Sequence, residues 1–385
     1  MMTKRIVFYI QHLLGVGHLN RSALISNELV KSGNEVHVIL GGKEIPEVRF
    51  KGAQQHHLPA AHASDPLFTT ILDSYNEPIS SNWKKQRCDI LLDLVNSIEP
   101  SALLIEHFPF GRRQFKFELI PLLNNLKRKK KSPKIFCSVR DLLVEQKDQD
   151  RINETFNFVR EYFDEILVHG DPNFLSFNDS FPQVAALYPK LFYTGYVANT
   201  MPMSSKNSYV GSDEVIVAAG GGAVGKKLID NAIAAKSLCD LKQKQWRVLL
   251  GPNVDALTRD EFLKHAQDDL IIEPNRSDYS TLLKNCCLSI SQGGYNTLLD
   301  VIIAKCPALV VPFFSKNETE QSYRSHLLSK LGYINVMIED SLSPHKLADE
   351  INKIIHKSHS LSIPFDMKGA ERTAFRITSS ISNCD

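Results

Sequence analysis

Short runs of β-branched and large apolar residues alternate with segments of helical periodicity along nearly the whole chain. The first run, Arg5–Ile10, leads through a glycine-containing turn into a helical pattern from Leu19 to Lys31. Near-continuous apolar strands separated by helices are typical of a parallel sheet that helices cover on both faces. The predicted strands are Arg5–Ile10, Glu35–Leu40, Ala102–Glu106, Lys134–Val139, Glu165–His169, Glu214–Ala219, Arg247–Leu250, Leu270–Ile272, Leu288–Ser291 and Ala308–Val311.

A segment rich in small and polar residues, Thr194–Ser212, interrupts this alternation and predicts a linker. The alternation then restarts, so we predict an α/β protein with two Rossmann-like, doubly wound parallel-sheet domains. A last helical pattern, Met367–Ile381, predicts a C-terminal helix that packs back on the N-terminal domain. The predicted boundaries are 1–200 for the N-terminal domain, 201–212 for the linker, 213–365 for the C-terminal domain and 366–385 for the C-terminal helix.

Composition and charge exclude several classes of protein. The 385 residues carry a formal net charge of only +2, which is too small for a nucleic-acid footprint. The apolar run at the N-terminus is interrupted at Gln11 and His12, which speaks against a secretory signal peptide. No stretch approaches the roughly 18 apolar residues that a membrane span needs. Seven cysteines without a CxxC pattern predict reduced thiols rather than disulfides or a zinc site. We therefore expect a cytoplasmic protein.

One basic run, Lys127–Lys131, stands between a predicted helix and a predicted strand. The simplest interpretation is a solvated loop. A contact with anionic lipid or phosphate is the alternative, because each clustered basic residue near a membrane contributes about 1 kcal/mol. A peripheral contact with the inner face of a membrane therefore stays open.

Three glycine-rich turns follow predicted strands and open helices, where free N–H groups and the helix dipole favour a phosphate. The first contains Gly15, Gly17 and His18. Asn20 stands where GxGxxG needs glycine, which speaks against a nicotinamide or flavin site. A histidine beside the positive end of a helix stays neutral, as a general base must be. The alternative is a histidine that only bonds to the backbone of its turn.

The second turn, Gly220–Lys227, nearly matches the phosphate loop of nucleoside triphosphatases. Lys227 stands where Ser or Thr would hold Mg²⁺, and no Walker-B partner is evident. We therefore expect backbone N–H contacts to a phosphate at this turn, or simply a tight turn that requires glycine.

The third turn, Ser291–Thr297, places two consecutive glycines before a helix, followed by Asn296 and Thr297. This arrangement suits a diphosphate. Farther along, Glu320 and Gln321 could bond the vicinal hydroxyls of a sugar. The alternative is a pair that only favours the start of a helix.

The stretch from Gly293–Thr297 (GGYNT) through Pro307–Phe313 (PALVVPF) to Glu320–Gln321 resembles the donor half of GT-B fold glycosyltransferases. The nearest resemblance is to glycosyltransferase family 28, the MurG-like enzymes, whose acceptor loop the Gly15–His18 turn also resembles. The resemblance covers essentially the whole chain and implies two domains that face each other across a cleft. Three further segments resemble a subgroup of bacterial predicted glycosyltransferases: Glu106–Arg112, Ser138–Asp141 and Tyr193–Val197.

This resemblance implies an inverting transfer of a sugar, with an N-acetylhexosamine as first candidate, from a UDP-sugar to an unidentified hydroxyl. The acceptor would be a small molecule, a glycan or a lipid-linked compound, and neither a metal nor another cofactor would take part. The base would be His18 or Glu106. The implied donor-binding residues are Gly221, Gly222, Gly293, Gly294, Asn296, Thr297, Asp300, Glu320 and Gln321, with Asp300 where the family commonly has a ribose-binding Glu.

Polar residues at the ends of first-domain strands are expected on the acceptor side. Arg112 could bind an acceptor phosphate or carboxylate in a bidentate manner. Structural salt bridges would explain these residues equally well. Leu19–Arg21 replaces the Pro-Ala of MurG-type enzymes, which indicates a different acceptor, and His56, His57 and His62 are expected in a surface loop. The acceptor-side set is Gly15, Gly17, His107, Arg112, Arg140 and Asp141.

Two other functions remain open from the sequence. A nucleotide-sugar 2-epimerase or hydrolase would use the same two-domain fold on the donor alone. A non-catalytic nucleotide-binding scaffold would retain the glycine turns without turnover. The departures at Asp300 and Leu19–Arg21 favour a scaffold, whereas the intact Gly293–Gly294 and Glu320–Gln321 pairs speak against it.

Overall fold

The structure is a computed structural model of the chain. It describes residues 4–13, 17–64, 68–143, 148–179, 181–199, 209–220, 225–251, 254–313, 320–356 and 365–382. The chain divides into two compact units, which we call the first domain (residues 1–198 and 365–385) and the second domain (residues 199–364). The predicted site residues Gly15, Gly221 and Gly222 lie outside the described residues.

The first domain alternates strands and helices, as predicted. Its helix α2 begins behind Ser80, whose side chain accepts a hydrogen bond from the Trp83 N–H, a common N-cap. The strands are β1 (Arg5–Ile10), β2 (Glu35–Leu40), β3 (Gln54–His57), β4 (His62–Ala63), β5 (Ile71–Leu72), β6 (Ala102–Glu106), β7 (Lys134–Arg140), β8 (Glu165–His169) and β9 (Leu191–Tyr193). The helices are α1 (Gly17–Lys31), α2 (Ser81–Ile98), α3 (Lys116–Lys127) and α4 (Gln149–Tyr162).

The large sheet of the first domain is parallel throughout, in the order β3-β2-β1-β6-β7-β8-β9. Alternate side chains of β1 pack into two hydrophobic cores, one on each face of the sheet, because successive side chains of a strand point to opposite faces. Ile6 and Phe8 pack in one core, and Val7 and Tyr9 pack in the other. The strand order reverses at β1, so the carboxyl ends of β1 and β6 flank the position where such sheets bind ligands.

The second domain has the same architecture. Its sheet is parallel, in the order β12-β11-β10-β13-β14-β15, and the order reverses at β10. The strands are β10 (Val215–Ala218), β11 (Trp246–Leu250), β12 (Leu270–Pro274), β13 (Leu288–Ser291), β14 (Ala308–Val310) and β15 (Asn335–Val336). The helices are α5 (Lys226–Ala235), α6 (Ala256–Leu263), α7 (Tyr279–Asn285), α8 (Tyr295–Ala304), α9 (Glu320–Lys330) and α10 (Pro344–Ile355).

The predicted fold class, two doubly wound parallel-sheet domains, is confirmed. One local expectation is wrong: His56 and His57 belong to the edge strand β3, and His62 belongs to the short strand β4, rather than to a loop. The Gln54–His57 segment is polar and largely exposed, so it lacks the apolar run that marks the central strands. The His56 ring stacks on that of His37 in β2, with the ring centroids 5.3 Å apart.

The C-terminal helix α11 (Gly369–Ser382) belongs to the first domain. Its buried residues Ala374, Ile377 and Ile381 join the core that contains α1. Two polar contacts hold the outer part of the helix. Arg376 binds Glu165 through two hydrogen bonds of 2.8 and 2.7 Å, and Asn34 Nδ2 donates to Thr378 Oγ1 at 2.9 Å.

Gly369 allows α11 to approach the end of the β9 segment closely. A Cβ at this position would lie 2.6 Å from the carbonyl carbon of Tyr196, and it would also overlap the carbonyl oxygen of Gly195. Because both neighbours are backbone atoms, Gly369→Ala should destabilise the first domain by about 2 kcal/mol. Denaturant unfolding measures this loss. Phe375→Ala on the exposed side of the same helix is the control, and equal stability of both variants would contradict the close-approach explanation.

Candidate functional site

The first domain has a candidate site at the carboxyl ends of β1 and β6. Glu106, the last residue of β6, is fully buried, and α1 begins at Gly17 beside it. His18 reaches this carboxylate from the first turn of α1, and its side chain is 14% exposed. The structure therefore brings together the two residues that the sequence offered as alternative bases.

The ring of His18 is held at both nitrogens. Its Nδ1 lies 2.7 Å from Glu106 Oε1, and its Nε2 lies 2.8 Å from Nη2 of Arg140. An ionised carboxylate can only accept, so Nδ1 carries the ring proton and donates to Glu106, and Nε2 accepts from Arg140. Arg21 donates to the same Glu106 oxygen from the next turn of α1, and its Nη2 also lies 3.1 Å from Nδ1 of His18. This network assigns His18 as a neutral imidazole with its basic nitrogen facing Arg140.

The electrostatics agree with this assignment. Burial lowers the pKa of His18 well below its usual range, and the Glu106 carboxylate opposes this only in part. Burial alone would raise the pKa of Glu106, but His18 and Arg21 outweigh it and hold this pKa well below its usual range. Glu106 is therefore a buried carboxylate that positions His18. Which of His18 and Glu106 acts as the base stays a prediction.

The other predicted acceptor-side residues surround this pair. The ring centroids of His107 and His18 lie 5.4 Å apart. Burial lowers the pKa of His107 to about 3. Arg112 Nε donates to the Gln11 carbonyl oxygen at 2.7 Å. Asp141 is fully buried and accepts from the Tyr196 hydroxyl at 2.6 Å. The Asp141 contact is structural in character, so its acceptor role stays a prediction that the geometry does not favour.

The second domain has its own candidate site, the turn between β13 and α8, at the switch point of its sheet. Gly294 is the N-cap of α8, and no side chain caps this helix end. The first-turn N–H groups are therefore not occupied by an N-cap side chain, which favours an anion. Asn296 and Thr297 lie in that first turn and are half-buried.

Gly293 brings this turn against the start of α9. A Cβ on Gly293 would lie 2.6 Å from Ser325 Oγ and 3.4 Å from the Gln321 carbonyl oxygen. Gln321 Oε1 accepts from the Phe313 N–H at 3.2 Å, and Glu320 Oε1 accepts from Arg324 at 3.2 Å. The third glycine turn and the Glu-Gln pair, although more than 20 residues apart in the sequence, are thus neighbours in the fold.

Asp300 lies one turn farther along α8. It is half-buried, and desolvation raises the pKa of Asp300 to about 7. A carboxyl group in this state is suited to bonding a hydroxyl group through either protonation form. Its predicted contact with a ribose stays a prediction.

The lysines of the second glycine turn have other partners. Lys226 pairs with Glu261 at 2.9 Å, and Lys227 Nζ donates to the Glu339 carbonyl oxygen at 2.8 Å. Neither lysine is therefore arranged as a phosphate-loop lysine. This agrees with the exclusion of a nucleoside triphosphatase from the sequence.

Arg21 was not predicted from the sequence to be a site residue. It is 1% exposed and shares the Glu106 oxygen with His18. The available signal was its spacing, because residues three apart on a helix share a face. The predicted membrane-contact run, Lys127–Lys131, begins at the last residue of α3 and precedes β7, so it lies at the amino ends of the strands, opposite to His18.

Two features are absent from the described residues, a metal-binding cluster and a membrane-spanning helix. In these ranges, no group of three or more His, Cys, Asp or Glu side chains is placed to bind a metal ion. None of the helices in the described part of the chain combines the length and the apolar character that crossing a bilayer demands.

Comparison with known proteins identifies the class first through the fold. The chain aligns over 98% of its length with the crystal structure of Acinetobacter baumannii MurG, with 10% identity, a TM-score of 0.55 and 95% of that chain covered. It aligns over 97% with Methanocaldococcus jannaschii UDP-GlcNAc 2-epimerase in complex with UDP-GlcNAc and UDP, with 10% identity, a TM-score of 0.62 and 99% of that chain covered. The fold is therefore the GT-B fold.

The similarity to a sequence family lies in the C-terminal half of the chain. Residues 215–377, which include most of the second domain and the first part of α11, match the family model of the glycosyltransferase family 28 C-terminal domain. A Thermotoga maritima relative, UDP-N-acetylglucosamine–N-acetylmuramyl-(pentapeptide) pyrophosphoryl-undecaprenol N-acetylglucosamine transferase, is 26% identical over 36% of this chain. The matches to the curated relatives span 34 to 50% of those relatives' lengths. The predicted resemblance to family 28 is confirmed.

Glu106→Gln tests the buried network. Removing the negative charge leaves Arg21 buried without its counter-charge, so the free energy of unfolding should fall by about 3 kcal/mol above pH 4.5. The pKa of Glu106 is lower in the folded state, so its contribution is present above its unfolded pKa and is lost as the pH falls. Denaturant unfolding from pH 8 to 3 should therefore show the two proteins converge in acid.

Glu28→Gln is the control, because Glu28 pairs with Lys31 at the surface and should change stability by less than about 0.5 kcal/mol. An equal, pH-independent loss in both variants would argue against a charged Glu106.

Proposed function

We propose that the protein is an inverting glycosyltransferase that transfers a sugar from a UDP-sugar to a hydroxyl acceptor, with His18 as general base. The observation that carries the proposal is the His18–Glu106 pair, in which a neutral imidazole keeps its Nε2 unprotonated. The family 28 match of the second domain supports a nucleotide-sugar donor, and an N-acetylhexosamine is the first candidate for the sugar.

In the proposed reaction, the acceptor hydroxyl takes the place of Arg140 at Nε2 of His18. As the hydroxyl oxygen attacks the anomeric carbon, its proton passes to Nε2, and the bond from that carbon to the UDP oxygen breaks. Glu106 stabilises the imidazolium that forms, because its carboxylate receives the Nδ1–H bond. The leaving UDP takes the electron pair of the broken bond.

The second domain would stabilise this departing charge. The N–H groups at the start of α8 and the side chains of Asn296 and Thr297 can bond the diphosphate, an electrostatic contribution that is often the largest in catalysis. Glu320 and Gln321 lie beside this turn and are proposed to bind the sugar hydroxyls. We propose that no metal or other cofactor takes part, since donors from backbone and side chains are available for the diphosphate.

A nucleotide-sugar 2-epimerase or hydrolase is the second candidate. The similarity in fold to a UDP-GlcNAc 2-epimerase favours it, and water in place of the acceptor hydroxyl would make His18 a hydrolytic base. Incubation with UDP-N-acetylglucosamine alone separates the two candidates. An epimerised or cleaved product without acceptor would replace the transferase proposal. The cytoplasmic location and the peripheral membrane contact through Lys127–Lys131 stay predictions.

His18→Ala should lower turnover by about 10²–10⁴-fold, the usual contribution of a general base. The affinity for UDP should remain nearly unchanged, because His18 belongs to the first domain and the diphosphate is assigned to the second. The measurements are UDP release from UDP-sugars across an acceptor panel and calorimetric UDP binding. His345→Ala, at an exposed position of α10, is the control. Undiminished transfer by His18→Ala would eliminate the base assignment.

Asn296→Ala combined with Thr297→Ala should weaken UDP binding by about tenfold or more, because hydrogen bonds to a charged group contribute about 1.5–3 kcal/mol. Ser237→Ala, at an exposed position of the same domain, should bind UDP as the wild type does. Calorimetry measures both affinities. Unaltered UDP affinity in the double variant would remove the diphosphate from the start of α8.

A further inference from the structure

The first domain contains a cavity of about 350 Å³ beside the His18–Glu106 pair. The proposed reaction places neither the nucleotide-sugar donor nor the acceptor hydroxyl in this cavity. It opens where β1 and β2 end, at the same edge of the sheet as Glu106. Leu19, the residue after His18, lines it together with Leu40 and Phe50. These three side chains are buried and give the cavity an apolar floor.

His12 lines the same cavity and is only 5% exposed. The ring bonds to the backbone of Lys43, but its Nδ1 atom is without a hydrogen-bond partner among the described residues. Leaving a buried polar atom unpaired costs about 1–3 kcal/mol, so such an atom calls for an explanation. An atom of a bound ligand would provide the missing partner.

Gly42 fixes the position of this imidazole. A Cβ on Gly42 would lie 2.6 Å from Nδ1 and 2.7 Å from Nε2 of His12, so only glycine leaves room for the ring. The buried Arg87 holds the neighbouring backbone, because its Nη1 donates to the carbonyl oxygens of Gly41 at 2.9 Å and of Pro59 at 2.5 Å. The wall of the cavity is therefore formed before any ligand binds.

The rim of the cavity is cationic. Lys43, Arg49 and Lys51 are exposed lining residues, against which Glu44 supplies one negative charge. Within the described ranges, no ion pair is found for these three cations, so their charge is available to a ligand. An apolar floor, a buried imidazole and a cationic rim fit an anionic group attached to a partly apolar body.

We propose that this cavity binds the anionic group, a phosphate or a carboxylate, of the acceptor substrate. His12 donates the buried hydrogen bond, and Arg49 and Lys51 supply the positive charge. Leu19 lines the cavity directly after His18 in α1, and this closeness to the reacting pair supports an acceptor. The assignment of the anion to an acceptor rests on the proposed glycosyltransferase function, whereas the anion site itself does not.

The test uses the full chain labelled with ¹⁵N in its histidines, at constant low ionic strength. Inorganic phosphate and acetate are titrated separately, which distinguishes a phosphate from a carboxylate ligand. We expect saturable shifts of the His12 and His57 resonances with one of the two anions, while exposed His345 in the second domain stays unchanged. His12→Asn, which can retain one N–H donor, should bind better than His12→Phe.

Arg49→Ala combined with Lys51→Ala should weaken the anion about tenfold, as expected for lost hydrogen bonds to a charged ligand. Lys127→Ala combined with Lys130→Ala makes the same charge change at the opposite edge of the sheet and should leave binding unchanged. No response of His12 to either anion, or equal weakening in both double variants, would overturn the site. The exposed Arg49 and Lys51 positions keep the test valid if a His12 variant fails to fold.

This titration contains no nucleotide and measures no turnover, so its outcome is independent of the donor. Anion binding without any sugar transfer would leave the site in place and contradict the proposed function. Sugar transfer to neutral acceptors, with no anion bound at His12, would contradict the site and leave the proposed function in place.

Discussion

The candidate site of the first domain depends on one buried charge, the carboxylate of Glu106. A fully buried carboxylate is stable only when it is paired, and Arg21 and the Nδ1–H of His18 provide that pairing. The pairing fixes the tautomer of His18 and therefore leaves its Nε2 as the basic atom. A single residue at the end of β6 thus links the stability of the domain to the chemistry proposed for it.

The second domain has the same kind of sheet topology, but its candidate site is built mainly from backbone groups. Here the reversal of strand order places a helix start, rather than a charged side chain, at the end of β13. Gly293 then allows the start of α9 to approach, so backbone N–H groups and the Glu320–Gln321 pair lie side by side. A diphosphate and a sugar could be bound there by donors that are already oriented, without a change in secondary structure.

The sequence predicted the central strands well, because buried parallel strands are apolar along their whole length. It missed β3, whose exposed Gln54–His57 segment carries no such signal. It also placed His18 and Glu106 at strand ends without showing that they touch, since 88 residues separate them and only the strand order β1-β6 brings them together. The orphaned Nδ1 of His12 and the cavity around it depend on Gly42 and Arg87 in the same way, through contacts that no local pattern contains.

The most direct measurement of the central claim is the thermal stability of the full chain with a panel of nucleoside diphosphates and nucleotide sugars. A ligand at about 100 times its dissociation constant stabilises the native state by roughly 2.7 kcal/mol. The account predicts such stabilisation by UDP or a UDP-sugar, with a smaller effect of the other nucleotides. No response to any uridine, thymidine, guanosine or cytidine diphosphate would contradict it.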